Sequence, residues 1–167
     1  MLKQVQHDAH ERGTGALHIR DATEADLPAI IAMLADDVNG SGREDASLPL
    51  DQGYLAAFAA IQADPNQRLL VAEQAGALVG TFQLSFLPGL SYKGAWRAQI
   101  EAVRVASRSR GQGIGGQMLD WAIDQAKARD CRMMQLTSKT NRTDAHRFYE
   151  RLGFVSSHVG MKLTLKD

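Results

Sequence analysis

Arg108-Ser109-Arg110-Gly111-Gln112-Gly113-Ile114-Gly115-Gly116 is the stretch on which the fold turns. On its amino-terminal side Gln99 to Val105 has the composition of a strand. On the other side Met118, Leu119, Ala122, Ile123 and Ala126 recur at the spacing of one buried helix face. Glycines between a strand and a helix tolerate positive φ and let a ligand approach the backbone with no side chain intervening. The unpaired amides of the first helical turn and the positive end of the helix dipole then form a seat for phosphate oxygens. Arg108 and Arg110 add local positive charge, so a pyrophosphate-bearing ligand fits this turn.

Working outward, Leu17 to Ala22 is a short strand, and Thr23 with Asp26 resembles a helix cap ahead of Leu27, Ile30, Ile31, Leu34 and Val38 at helical spacing. Asn39 to Pro49 is a loop. A second helix fits Asp51 to Ala63 and stops at Asp64-Pro65-Asn66. Arg68 to Gln74 and Leu78 to Leu87 are strands joined at Ala75-Gly76, and Pro88 to Gly94 is a loop. Beyond the glycine turn and its helix come a strand over Met133 to Thr137 and a short helix over Asp144 to Leu152. A terminal hairpin begins at Phe154 and ends in the alternating Met161, Leu163 and Leu165. Three consecutive strands in mid-chain make this an α/β chain with a mixed sheet flanked by helices.

The chain has 167 residues, 44% hydrophobic and 23% charged, which bounds it to one domain over residues 17–167 behind a flexible leader over residues 1–16. Nineteen basic residues balance nineteen acidic ones, which removes the general electrostatic case for nucleic acid or an anionic membrane as partner. One cysteine, Cys131, excludes an intrachain disulfide and offers no zinc cluster. A reducing compartment, the cytoplasm, is the expectation. The polar leader lacks the apolar core of a signal peptide, and no stretch is long enough to span a bilayer. His7 and His10 in the leader read as solvated residues, and no metal site is expected.

Gly111, Gly113 and Gly116 satisfy the loose Gly-x-Gly-x-x-Gly pattern of dinucleotide-binding folds, but the context is wrong. The glycines lie two-thirds along the chain, and the next strand ends in Thr137-Ser138 with no acid to hold a ribose. No Gly-Lys-Ser/Thr follows, which excludes a Walker phosphate loop. Read from Arg110, the segment is Arg-x-x-Gly-x-Gly at Arg110, Gly113 and Gly115. This resembles the acyl-coenzyme A pyrophosphate motif of the GNAT family of N-acetyltransferases. The resemblance runs from Leu17 to Lys166 and includes a late helix carrying Ala145, Phe148, Tyr149, Gly153 and Phe154.

The resemblance implies a mostly antiparallel central sheet splayed at the cofactor site and acetyl-CoA as co-substrate. Its pyrophosphate would lie on Arg110, Gly111, Gln112, Gly113, Ile114, Gly115 and Gly116, and its pantetheine arm along Val103, Arg104 and Val105. A backbone amide near Val103 would polarise the thioester carbonyl. An amine attacks only when neutral, so a positioned carboxylate is needed, and Glu101 stands where many family members carry one. Regular strand alternation puts Glu101 on one face with the apolar Val103 and Val105, opposite Ile100, Ala102 and Arg104. Tyr149 matches the tyrosine that protonates the departing thiolate. Asn141 is implied as a coenzyme contact, though it precedes Ala145 by four residues where the family spacing is three, and with Asp144 it also reads as a helix cap. His146 reads as a surface helix residue.

The implied activity is acetyl transfer to a primary amine, of a small molecule, by direct attack in a ternary complex; Cys131, with no base beside it in sequence, does not suggest an acyl-enzyme. A protein or peptide amine and a non-catalytic acyl-CoA sensor are the alternatives. The acceptor side falls on Asp36 to Pro49, Pro88 to Trp96 and Ser156 to Met161. There Asp36, Asp37, Glu44 and Asp45 would attract a cation and Tyr54, Tyr92 and Trp96 would wall a pocket. Dimers are common in the family, so a homodimer is compatible with this reading.

Overall fold

A computed structural model describes residues 15–37 and 40–166. The leader histidines, Val38 and Asn39 lie outside the described residues. The chain runs β1 (His18–Asp21), a 3-10 turn (Glu24–Asp26), α1 (Leu27–Ala35), α2 (Gln52–Ala63), β2 (Gln67–Gln74), β3 (Ala77–Leu87), the single turn α3 (Ser91–Gly94), β4 (Trp96–Val105), α4 (Ile114–Ala128), β5 (Cys131–Gln135) and α5 (Thr143–Arg151). The strands form one sheet in sequence order, antiparallel except for the parallel β4–β5 pair. Thr23 and Asp26 close a capping box, and Asp26 also takes both guanidinium nitrogens of Arg20, at 2.7 and 3.0 Å. Ala75 and Gly76 both adopt positive φ, as a two-residue hairpin between right-twisted strands requires.

Each face of the sheet has its own cover. Leu70, Phe82, Leu84, Phe86, Ala98 and Ile100 lie on one face, buried with Ile114, Met118, Leu119 and Ala122 of α4. The helix comes so close that a Cβ on Gly80 would sit 2.5 Å from the Met118 sulfur. The other face carries Val71 against Leu27, Ile30 and Ile31 of α1 and Phe58 of α2.

A β-bulge in β4 changes which side chains share a face. Gln83 is paired with Glu101 and Thr81 with Arg104, so Phe82 alone spans Ala102 and Val103. Ala102 takes φ of +53° at the extra residue. The expected alternation therefore fails: Val103 and Val105 stay on the α4 face with Ile100, whereas Glu101 and Arg104 lie together on the α1–α2 face. Glu101 is not an acid among apolar neighbours.

The terminal hairpin is a second correction. Residues 155–166 form no strand, and Val155, Val159, Met161, Leu163 and Leu165 are all more than 80% exposed. Alternation supplies a strand pattern, but cross-strand pairing is what stabilises a strand, and this segment has no ladder partner among the described residues.

Candidate functional site

The glycine turn brings the chain from β4 into α4 with Gly111 at φ +75° and Gly113, the residue capping α4, at φ +77°. A side chain at Gly113 would strain the turn, and none is present to cap the helix, so the amides of its first turn are left open. The first backbone bond back to the cap comes from Gln117 N–H to the Gly113 carbonyl, at 3.2 Å. A Cβ on Gly116 would meet nothing within 4 Å, whereas one on Gly115 would touch Phe148 at 3.5 Å and Val105 at 3.8 Å. Gly115 thus seats α4 against β4 and α5, and Gly116 borders open space.

The two flanking arginines brace this turn. Arg110 donates to the Val105 carbonyl at 3.2 Å and pairs with the Asp36 carboxylate at the end of α1, also at 3.2 Å. Arg108 donates to the Leu78 carbonyl at 2.8 Å. Gln112 donates to the Arg108 carbonyl.

β5 pairs with β4 only from Trp96 to Gln99, after which β5 ends. From Ile100 to Val105 the β5-side edge of β4 has no strand beside it among the described residues, and it points to the uncapped amino terminus of α4. This is the splayed sheet the sequence implied. Unpaired strand edges offer alternating N–H and C=O groups to a ligand containing amides.

Glu101 and Tyr149 lie on opposite sides of the sheet. Glu101, exposed, lies on the α2 side, on the wall of a cavity of about 430 Å³ shared with Gln67, Gln83, Ser85 and Gln99. Tyr149 packs with the α4-side core, its ring meeting Phe148 at 5.1 Å and Phe154 at 5.8 Å edge to face. Burial pushes the Tyr149 hydroxyl above its ordinary value, partly countered by Arg142 and Arg104, so at neutral pH it is a phenol able to donate a proton.

Other sequence expectations find different places. Asn141 is exposed in the turn before α5; the residue capping α5 is Arg142, and no side chain caps that helix, so neither Asn141 nor Asp144 acts as a cap. His146 accompanies the Lys139 carbonyl at 2.9 Å. The acidic loop is largely engaged: Asp36 with Arg110, Asp37 with Arg104 at 3.0 Å, and Glu44 with Arg43 and the Tyr54 hydroxyl. Trp96 packs into the α4-side core, and Tyr92 is exposed beneath the Arg132 guanidinium. Cys131 faces Trp96 at the start of β4, five residues and roughly 17 Å along the strand from Glu101. Burial pushes its thiol up, away from the nucleophilic thiolate. No group of three or more metal-binding side chains occurs among the described residues, and no helix there is long and apolar enough to cross a membrane.

The sequence reading missed the row of amide side chains beside Glu101. Its signal was present as Gln67, Gln83, Gln99 and Gln135, one in each of four strands, but only the strand register puts them side by side.

The chain is similar to known proteins. The acetyltransferase (GNAT) family profile matches residues 34–154. The aminoalkylphosphonate N-acetyltransferase of Salmonella typhimurium is 32% identical over 141 residues, 84% of this chain and 86% of that protein. An L-methionine sulfoximine/L-methionine sulfone acetyltransferase of Pseudomonas aeruginosa is 31% identical over 150 residues, 86% of each chain. A solved structure from Bacillus halodurans, described as a transcriptional regulator, superposes with a TM-score of 0.87 at 49% identity, covering 90% of this chain and all of that one.

Proposed function

Because the chain belongs to the acetyltransferase (GNAT) family, we propose that it transfers the acetyl group of acetyl-CoA to the primary amine of a small molecule, by direct attack in a ternary complex. The observation that carries this reading is the open edge of β4 beyond Gln99, running into the glycine-rich, uncapped amino terminus of α4. The pyrophosphate rests on the amides of Gln112, Gly113, Ile114, Gly115 and Gly116, at the positive end of a helix of 15 residues. In this reading Arg110 and Gly111 complete the pyrophosphate seat and Asn141 contacts the coenzyme. The pantetheine arm runs along the backbone of Val103, Arg104 and Val105 as an added strand would.

The reaction is then balanced by groups on either side of that edge. Glu101 takes a proton from the ammonium on the α2 side, directly or through one water, freeing the nitrogen lone pair. The nitrogen attacks the thioester carbon, whose oxygen is held by the Val103 N–H in the plane of the sheet. The carbon–sulfur bond breaks as the tetrahedral intermediate collapses, and Tyr149 gives its proton to the sulfur from the α4 side. The second proton of the attacking nitrogen, released as the amide forms, returns through water to the Tyr149 phenolate, while Glu101 passes its proton to solvent. No residue is acylated, and Cys131 has no part.

The decisive experiment is thiol release from acetyl-CoA over a panel of amines, with the acetylated product identified by mass spectrometry. Turnover of a small amine is the expected result. Coenzyme binding with no thiol released by any amine would overturn the reading in favour of an acyl-CoA sensor. Turnover of peptides alone would move the acceptor to protein amines.

A further inference from the structure

We propose that the amide row on the α2 side of the sheet reads the acceptor, and that it selects a primary amine on a neutral body rich in hydroxyl or amide groups. The inference rests on the N-acetyltransferase reading, since it takes Glu101 as the place where the amine is held. Gln67, Ser85, Gln99 and Gln135 stand on four adjacent strands, each the register partner of the next, and Gln83 and Glu101 face each other in the neighbouring row. Cross-strand partners share a face, so all six project to the same side.

Their mutual bonds use only part of their capacity. The Gln67 carbonyl oxygen accepts from the Ser85 hydroxyl at 2.7 Å and from the Gln83 amide at 3.1 Å, and the Gln99 carbonyl oxygen accepts from Gln135 at 2.7 Å. The amide nitrogens of Gln67 and Gln99 bond to nothing among the described residues, and both side chains line the cavity beside Glu101. A half-buried row with donors to spare is a poor way to hold a helix on a sheet; the other face of the same strands is Leu70, Phe82, Leu84 and Ile100. Convergent neutral donors and acceptors in a cavity are how small polar ligands are oriented.

The charge of the cavity decides between ligands. Among the described residues its only ionisable lining groups are the carboxylates Glu101 and Asp64. Arg97, next on this face of β4, has its guanidinium beside Gly89 in the β3–β4 loop, where a Cβ would lie 3.9 Å from it. An ammonium is therefore attracted, and a phosphonate or phosphate near it meets like charge, since Arg104 on the same face is already paired with Asp37. Hydroxyl or amide groups on the acceptor body satisfy the glutamines in a way an alkyl chain does not.

Glucosamine, glucosamine 6-phosphate, 2-aminoethylphosphonate and an alkyl polyamine test the proposal as acceptors. Glucosamine should exceed the other three by about tenfold or more in kcat/KM. The volume-matched Gln67→Met and Gln99→Met should raise its KM by about tenfold, with the KM for acetyl-CoA and the melting temperature unchanged. Preference for the phosphonate or phosphate, above all if lost in Arg97→Ala, would overturn the proposal. So would preference for the polyamine, or glutamine variants indistinguishable from wild type. Absence of turnover with every amine despite coenzyme binding would instead bring down the N-acetyltransferase reading, and this inference with it.

Discussion

The two faces of the central sheet are built from the same strands and differ in nearly every physical respect. Under α4, Phe82, Leu84, Ala98 and Ile100 are buried to 2% exposure or less with Met118 and Leu119, a continuous apolar contact. On the opposite face, α1 covers Val71 but α2 leaves Gln67, Gln83, Gln99 and Glu101 around an open cavity. Charged side chains under α1 form ion pairs, Arg20 with Asp26 and Glu73, and Arg104 with Asp37. Those near α2 are paired only in part. The α4 face supplies stability and the α2 face keeps unspent hydrogen-bonding capacity, with the open edge of β4 between them.

The largest break in this comparison is on the apolar face. Phe82→Ala should cost about 3–5 kcal/mol by cavity formation. At about 2–4 °C per kcal/mol for a chain of this size, thermal unfolding should move down by roughly 6–20 °C, while activity per folded molecule stays near wild type. A second break lies in the paired part of the α1–α2 face. The Arg20 guanidinium and the capping bonds of Thr23 hold the Asp26 carboxyl down at about 2, from an ordinary 3.8. A depressed carboxylate stabilises the fold above its unfolded value and loses that contribution as pH falls from about 4 towards 2. Asp26→Asn should therefore remove about 2 kcal/mol at pH 7, and its difference from wild type should shrink in acid. Unfolding measured against pH checks both.

Between the faces, Gly113→Ala forces a side chain into φ of +77° at the cap of α4 and should raise the KM for acetyl-CoA about tenfold, with little change in turnover at saturation. Isothermal titration with coenzyme A gives the same answer without catalysis. The smallest effect belongs to Cys131→Ala, which should leave turnover unchanged in a thiol-release assay. Its loss in a folded variant would replace direct attack by an acyl-enzyme.

Local features were legible in the sequence and register-dependent ones were not. The glycine turn, the amphipathic α4, the Ala75-Gly76 hairpin and the Thr23–Asp26 cap are each decided by residues a few positions apart, and each is present. The face on which Glu101 sits depended on one residue of excess in β4, and no local signal around Ala102 announces a bulge. The amide row depended on four strands lining up, and the partner of Arg110 on Asp36, 74 residues away. The tail shows the same limit in reverse: Met161, Leu163 and Leu165 alternate as a strand would, but nothing pairs with them among the described residues.

The pH dependence of kcat/KM for wild type and Glu101→Gln, measured by thiol release with one turned-over amine, tests the central claim most directly. If Glu101 removes the amine proton, wild type retains activity well below the amine pKa. The variant's rate then follows the free-amine fraction, falling about tenfold per pH unit, so that the gap between the two widens as pH drops. Profiles of the same shape, displaced by a constant factor or superimposed, would contradict the account and remove Glu101 from the chemistry.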